Sequence, residues 1–155
     1  MTKQIFQTKY INDEQFIDYL VSSLINQHSS GQSFFIDNIL LFEKQHFNEK
    51  DFATYDSGEK KQATLRYRPG QIRIPSRNIL EVYETSEFEK GKVPRGLVEI
   101  DTIIISPIQE LTEEELRKDG YVSTEQAIKS MQKYYPDLTK DSVVSLYLFG
   151  ETELR

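Results

Sequence analysis

The sequence predicts an α+β protein in which strands form a mixed sheet or a small barrel, with helices at its margins. Apolar runs of strand length crowd the middle of the chain, and amphipathic helix patterns flank them. This order of elements is typical of α+β domains. A length of 155 residues suits one domain with a core of its own.

The first predicted helix begins near Asn12, which can cap it, and Gln15 can reach back to the cap. Phe16, Leu20 and Leu24 recur at helical spacing. We therefore expect this helix to pack on the protein core. The polar, glycine-containing run that follows is expected to end it.

Two short apolar runs, at 34–36 and 39–42, have the length of strands. Spaced aromatic residues then predict a second helix across 47–55. Gly58 is well placed to end that helix in a left-handed conformation.

A basic strand is predicted directly after this helix, at 62–67. In it Thr64 and Arg66 point to one face, the odd-numbered residues point to the other, and Lys61 lies at the entrance. A hydroxyl, a guanidinium and an ammonium on one small surface suit the binding of an anionic ligand and the activation of the hydroxyl. The alternative is a solvated basic edge that discourages strand pairing.

Further strands are expected at 71–75, 78–84 and 97–105, with a turn at Pro69-Gly70 and an exposed loop at 86–96. In the last of these strands, strict alternation would place all the odd-numbered residues on one face and all the even-numbered ones on the other.

Glu99 stands out in that strand as an acid in apolar company. If it is buried, it needs a partner or a proton, because desolvation penalises a carboxylate. Alternatively, Asp101 marks a wetter end of the strand and Glu99 is merely exposed.

The last part of the chain predicts two short helices and a closing strand. Thr112 and Glu115 form a capping box, and Gly120 ends that helix. Ser123 opens a second helix, which continues until a proline stops it. An apolar strand at 143–149 follows, and a charged tail follows the strand.

The charge distribution favours a specific anionic ligand. A net charge of -6 argues against indiscriminate binding of nucleic acid. Residues 58–77, however, contain six basic residues and a single acidic one. No apolar run approaches the roughly 20 residues that span a bilayer, and the first ten residues lack an apolar signal core. We therefore expect a cytoplasmic protein with no membrane partner.

The absence of cysteine excludes disulfides, thiol catalysis and cysteine-ligated metals. His28 and His46 lack the spacing of metal ligands and are interpreted as ordinary surface or loop residues. We therefore expect neither a metal nor a cofactor.

From about residue 38 to 150 the sequence resembles the activating-signal-cointegrator homology (ASCH) domain, a branch of the PUA-like superfamily. Gly58, Lys61, Thr64 and Arg66 resemble its Gly-x-Lys-x-x-Thr-x-Arg signature, with one extra residue between the glycine and the lysine.

Two further segments carry the resemblance. The strand at 97–105 is similar to a central family strand with an acidic residue at Glu99. Residues 111–149 are similar to the family's helical hairpin and closing strand.

The resemblance implies a PUA-like small mixed or antiparallel β-barrel with flanking helices across 38–155. Residues 1–37 would be an N-terminal helical extension packed on this core. Members of the family are thought to bind RNA or modified nucleosides. One bacterial branch hydrolyses N4-acetylcytidine with a lysine, a threonine and a glutamate, to which Lys61, Thr64 and Glu99 would correspond.

Two main hypotheses remain open. In the first, a basic cleft binds RNA or a modified nucleoside or nucleotide. Arg66, Arg68 and Arg73 would hold phosphate, and Tyr67 or Tyr83 would stack on a base. In the second, the protein is an amidohydrolase of acylated nucleosides. A ribonuclease, or a protein-interaction adaptor using the first helix, is a more distant alternative.

Overall fold

A computed structural model of the protein describes residues 2–25, 33–48, 51–54, 60–85 and 92–155. The helices are α1 (Asp13–Ile25), α2 (Glu113–Arg117) and α3 (Thr124–Gln132). The strands are β1 (Gln4–Gln7), β2 (Ser33–Asp37), β3 (Ile39–Glu43), β4 (Phe47–Asn48), β5 (Asp51–Phe52), β6 (Ala63–Arg66), β7 (Gln71–Pro75), β8 (Ile79–Thr85), β9 (Lys92–Pro107) and β10 (Val143–Leu154). Short 3-10 turns lie at Lys44–His46 and Ile108–Glu110.

Within these ranges, six strands form one curled sheet that resembles half of a barrel. The strand order is β3-β8-β9-β10-β6, and β1 pairs with the second half of β9. Strands β3 and β8 are parallel, whereas the other pairs in this sheet are antiparallel. The mixed α+β class predicted from the sequence is confirmed.

Two smaller pairings complete the described strands. Strands β2 and β7 run parallel to each other, and β4 and β5 form a short antiparallel hairpin. Strand β7 is tied to the main sheet, because the Ser145 hydroxyl on β10 donates to the backbone carbonyl of Arg73 at 2.6 Å.

Apolar residues fill a separate core on each face of the sheet. The helix residues Phe16, Leu20 and Leu24 are fully buried in the core that α1 covers. Leu116 and Ala127 are fully buried in the other core, under α2 and α3. Since each large buried side chain contributes roughly 1.5–3 kcal/mol, all three helices are held by packing rather than by propensity.

A bulge in β9 changes the face to which its residues point. The pairing with β10 passes from Thr102 directly to Ile100, which leaves Asp101 without a register partner there. Val98, Ile100, Ile103 and Ile105 consequently lie in the same core. The prediction of strict alternation over 97–105 is therefore wrong across the bulge.

The prediction of a helix at 47–55 is also wrong for the described residues, 47–48 and 51–54. A 3-10 turn leads there into the β4–β5 hairpin, where Phe47 and Phe52 pair across the strands and pack on Phe42. The spaced aromatic residues that suggested a helix therefore serve cross-strand contacts in a hairpin. Gly58, His28 and the predicted end of the first helix lie outside the described residues.

Two boundaries near the C-terminal half also differ from the prediction. Residues 92–96, expected in a loop, already belong to β9, and the expected charged tail continues β10 as far as Leu154. The two segments pair with each other, since Leu154 lies opposite Gly96. The predicted capping box is confirmed, because Thr112 and Glu115 exchange both hydrogen bonds.

Candidate functional site

The predicted basic strand borders a gap between β3 and β6, the two terminal strands of the sheet. The Arg66 guanidinium on β6 crosses this gap and donates to the Leu41 carbonyl on β3 at 3.1 Å. A cleft of about 260 Å³, here called the main cleft, opens at this point. It is lined by Leu41, Phe42, Glu43, His46, Lys61, Thr64, Leu65, Arg66, Tyr67, Arg73, Asp119, Tyr121, Met131, Tyr134 and Tyr135.

Lys61 is buried in the main cleft and forms a salt bridge with Asp119. Burial lowers the pKa of Lys61 below its usual range, while the Asp119 carboxylate acts to raise it and the Arg66 guanidinium to lower it. The Lys61 ammonium also lies over an aromatic ring, since its Nζ is 5.6 Å from the centre of the Phe42 ring. The ammonium therefore depends on one carboxylate for its charge balance.

The Asp119 loop also holds the free edge of β6. The backbone amides of Gln62 and Ala63 donate to the Lys118 carbonyl at 2.8 and 3.1 Å, and the Leu65 amide donates to Asp119 Oδ2 at 2.8 Å. Gly120 follows with a φ of +95°, which favours glycine. The loop between α2 and α3 thus takes the place of a neighbouring strand.

Arg66 is half-buried, and no carboxylate in the described part of the chain forms a salt bridge with it. Its Nε donates to Thr64 Oγ1 at 3.1 Å, and its guanidinium carbon lies 4.7 Å from the centre of the Phe42 ring. Burial lowers the pKa of Arg66, and the nearby Arg73 lowers it further. The guanidinium is therefore a cation whose charge is only distantly balanced, by Asp37 and Asp119.

Arg73 differs from Arg66 because it is fully engaged. Its Nε and one terminal nitrogen donate to the two carboxylate oxygens of Asp37 at 3.1 and 2.5 Å. The buried Tyr147 hydroxyl donates to the same carboxylate at 2.8 Å. Burial alone would lower the pKa of Arg73, but the bonds to Asp37 raise it overall, and burial raises the pKa of Tyr147 well above its usual value.

His46 lies in the short 3-10 turn between strands, as the prediction of a loop residue expected, but it is half-buried and lines the main cleft. Burial lowers the pKa of His46 to about 4, and the positive charges of Lys61 and Arg66 contribute to that shift. The imidazole is therefore neutral at physiological pH.

Arg68 and Tyr67 extend the site beyond the main cleft. Both line an adjoining hollow of about 410 Å³, here called the side pocket, together with Phe35, Pro69, Arg73 and Tyr135. Tyr83, the other predicted stacking residue, lines neither space, and its hydroxyl donates to Glu81 at 2.6 Å.

Glu99 lies apart from the other predicted site residues. It does not line the main cleft; its Oε1 lies against Gly150 on β10 and accepts no hydrogen bond from the described residues. The structure therefore brings together Lys61, Thr64, Arg66, Tyr67 and Arg73, borders them with Arg68, and leaves Glu99 outside.

The acid beside Lys61 is one that the sequence analysis missed. Asp119 precedes a glycine after a short helix, a position that predicts only an ordinary helix end. Asp37 and Tyr147 were missed for a similar reason, since each sits at a strand position with no local sign of a charged partner. Only the tertiary packing of distant segments brings these groups to the site.

The described residues contain neither a cluster of metal ligands nor a membrane-spanning helix. No group of three or more histidine, cysteine or acidic side chains there could hold a metal ion. No described helix is long and apolar enough to cross a membrane.

Comparison with known proteins provides no identification for this geometry. The chain matches no protein-family model, no curated protein and no solved structure. The resemblance to ASCH domains rests on the sequence motifs and stays a prediction.

Proposed function

We propose that the main cleft binds a nucleoside or nucleotide, and that the protein is a cytoplasmic, ASCH-type, PUA-like binding module for modified nucleosides or RNA. The observation that carries this proposal is Arg66, a half-buried guanidinium with no salt-bridged carboxylate in the described chain. Desolvation of a cation is costly, and an incoming anionic or carbonyl oxygen offsets that cost.

The walls of the main cleft suit a planar ligand. Aromatic side chains border it on the α3 side, where Tyr67 and Tyr135 contact each other edge to face at 5.2 Å between ring centres. Phe42 lies beneath the Arg66 guanidinium. A volume of about 260 Å³ falls just below the usual range for drug-sized ligands, which favours a base or a nucleoside over a larger molecule.

Polar groups at the base of the cleft would fix the orientation of such a ligand. The Thr64 hydroxyl already accepts a hydrogen bond from Arg66 and keeps its own proton available for donation to a base oxygen or nitrogen. Arg66 would bind a base carbonyl through the N–H groups of its guanidinium. This donor pair would read the edge of a base while the aromatic residues hold its faces.

Isothermal titration of the protein with the four ribonucleosides, N4-acetylcytidine and their 5′-monophosphates tests this function. We expect at least one nucleoside to bind and Arg66→Ala to weaken its binding about tenfold or more, the loss expected for a charge-assisted hydrogen bond. Lys129→Ala, a change on the exposed part of α3, is the matched control. Equal affinity of Arg66→Ala and the wild type would overturn the proposal.

A second candidate function, amide hydrolysis, is favoured by one observation. A lysine whose pKa is lowered by burial, a buried threonine hydroxyl and a carboxylate lie in the same cleft. In this reaction Thr64 Oγ would attack the acyl carbon while Lys61 takes the hydroxyl proton. The carbon–nitrogen bond would then break, and Lys61 would pass that proton to the departing amine. Water would then hydrolyse the threonine ester.

The geometry supports hydrolysis less directly than binding. Lys61 Nζ contacts Asp119, and no hydrogen bond joins it to Thr64 Oγ1 in the described structure. Glu99, the predicted proton donor, does not line the cleft.

Chromatographic detection of cytidine released from N4-acetylcytidine separates the two functions. Binding without release supports the binding module. Release that disappears in both Thr64→Ala and Lys61→Met, with the circular dichroism spectrum unchanged, would establish hydrolysis.

A further inference from the structure

The main cleft and the side pocket are two parts of one continuous site. Tyr67, Arg73 and Tyr135 line both of them, and the rings of the two tyrosines contact each other edge to face. A ligand that fills the main cleft would therefore leave it beside these rings. Whatever is attached to such a ligand would enter the side pocket.

The side pocket is basic and its lining contains no acidic residue. The main cleft is different, because Glu43 and Asp119 both line it. In a chain with a net charge of -6, a hollow lined by two arginines, of which only Arg73 is paired with a carboxylate, is a local site of positive potential.

Arg68 is the cation of the side pocket that is available to a ligand. Arg73 is neutralised by its two bonds to Asp37, whereas Arg68 forms no salt bridge within the described chain. Arg68 is exposed, its Nε donates to Gln71 at 2.8 Å, and its guanidinium carbon lies 4.4 Å from the centre of the Phe35 ring. The ring and the glutamine hold the guanidinium in place while its terminal nitrogens remain available for a ligand.

We propose that the side pocket binds the phosphate of a nucleotide whose base occupies the main cleft, with Arg68 as the phosphate-binding residue. This inference rests on the proposed function and narrows its ligand class to phosphorylated nucleosides. Such a phosphate belongs either to a free mononucleotide or to a single-stranded oligonucleotide. A bidentate guanidinium–phosphate contact fits the exposed fork of Arg68.

Paired titrations test this assignment. Each ribonucleoside is compared with its 5′-monophosphate, its 3′-monophosphate and a tetranucleotide of the same base, in the wild type and in Arg68→Ala. Lys129→Ala is the control for loss of one exposed positive charge elsewhere, and inorganic phosphate at the same concentration controls for anion binding alone.

We expect one of the monophosphates to bind about tenfold tighter than its nucleoside, the gain of one charge-assisted contact. Arg68→Ala should abolish that gain and leave nucleoside affinity unchanged. A tetranucleotide that binds tighter than the monophosphate would assign the phosphate to a single strand. Equal affinities for the tetranucleotide and the monophosphate would assign it to a mononucleotide.

Four results would contradict the assignment, and they are distinguishable. Nucleosides that bind while their phosphates bind no tighter would overturn this inference alone. An equal loss of affinity for nucleoside and nucleotide in Arg68→Ala, or competition by inorganic phosphate at the same concentration, would do the same. Failure of the wild type to bind nucleosides and nucleotides alike would overturn the proposed function together with the inference.

Discussion

Arg66 and Arg73 lie on adjacent regions of the same cleft, yet their surroundings differ in one decisive respect. Arg73 binds both oxygens of Asp37, which also accepts the Tyr147 hydroxyl, so all three groups are satisfied within the protein. Arg66 has a hydroxyl, a carbonyl and an aromatic ring around it but no salt bridge within the described residues. Arg73 is therefore a cation balanced inside the chain, whereas Arg66 is the cation to which the proposed function assigns the ligand.

Removal of Asp37 is expected to produce the largest effect, and it tests the structural half of this comparison. Asp37→Ala leaves the Arg73 guanidinium and the Tyr147 hydroxyl without their acceptor. We expect the free energy of unfolding to fall by about 3–5 kcal/mol, the cost of breaking a buried pair from one side. Urea denaturation measures it, with the exposed Asp137→Ala as a control that should change by less than about 0.5 kcal/mol. A similar small change in both variants would refute the structural role.

Asp119→Asn tests whether Lys61 depends on its carboxylate. The pKa of folded Lys61 is already below its unfolded value of about 10.4, so unfolding takes up a proton between these two pKa values and stability rises with pH there. Loss of Asp119 lowers the folded pKa further. We therefore expect a loss of about 3 kcal/mol at about pH 7 that shrinks towards about pH 10.

Denaturation of Asp119→Asn across this pH range measures the effect. The double variant Lys61→Met/Asp119→Asn is the control, since it lacks the titrating amine. The same pH dependence in the single and the double variant would show that another group is responsible.

Gly120→Ala tests how precisely the Asp119 loop must approach the hairpin. A Cβ at position 120 would lie 2.7 Å from Thr54 Cβ, and φ there is +95°. Gly70 offers a matched control, because its φ is +76° and a Cβ there would meet no atom within 4 Å. We expect losses of about 2–3 kcal/mol for Gly120→Ala and about 1 kcal/mol for Gly70→Ala. Equal losses would mean that only the backbone conformation matters.

His46→Phe is expected to have the smallest effect, which appears only in acid. The folded pKa of His46 is about 4 and its ordinary value 6.5, so the unfolded chain binds the extra proton between these values. Stability is therefore lost as the pH falls from 6.5 to about 4. In His46→Phe, the free energy of unfolding should decline less steeply over this interval. Parallel curves for the two proteins would contradict the burial of the imidazole beside two cations.

Local sequence patterns predicted those parts of the molecule that depend on neighbouring residues. The α1 stripe, the strand from Ala63 to Arg66 and the capping box at Thr112 all follow from spacing alone, and the structure confirms them. The cations of the site were also predictable, because they lie on one strand or next to it. Strand alternation places Thr64 and Arg66 on the same face.

The partners of those cations were not predictable in the same way. Asp119 reaches Lys61 across a separation of 58 residues, and Tyr147 reaches Asp37 across 110. The order of the strands and the packing of the loop between α2 and α3 determine these contacts, and no local sequence pattern records either. The prediction of strict alternation failed at the Asp101 bulge for a related reason. An alternating sequence pattern cannot reveal where one residue of a strand is left unpaired.

The measurement that tests the central claim most directly compares Arg66→Met with Arg73→Met in two assays, urea denaturation and nucleoside titration. We expect Arg66→Met to stay within about 1 kcal/mol of the wild-type free energy of unfolding while its nucleoside affinity falls about tenfold or more. Arg73→Met should lose about 3 kcal/mol or more, because it leaves the Asp37 carboxylate buried without its cation. The opposite pattern, with Arg66→Met unstable but fully able to bind, would contradict the distinction between the two arginines.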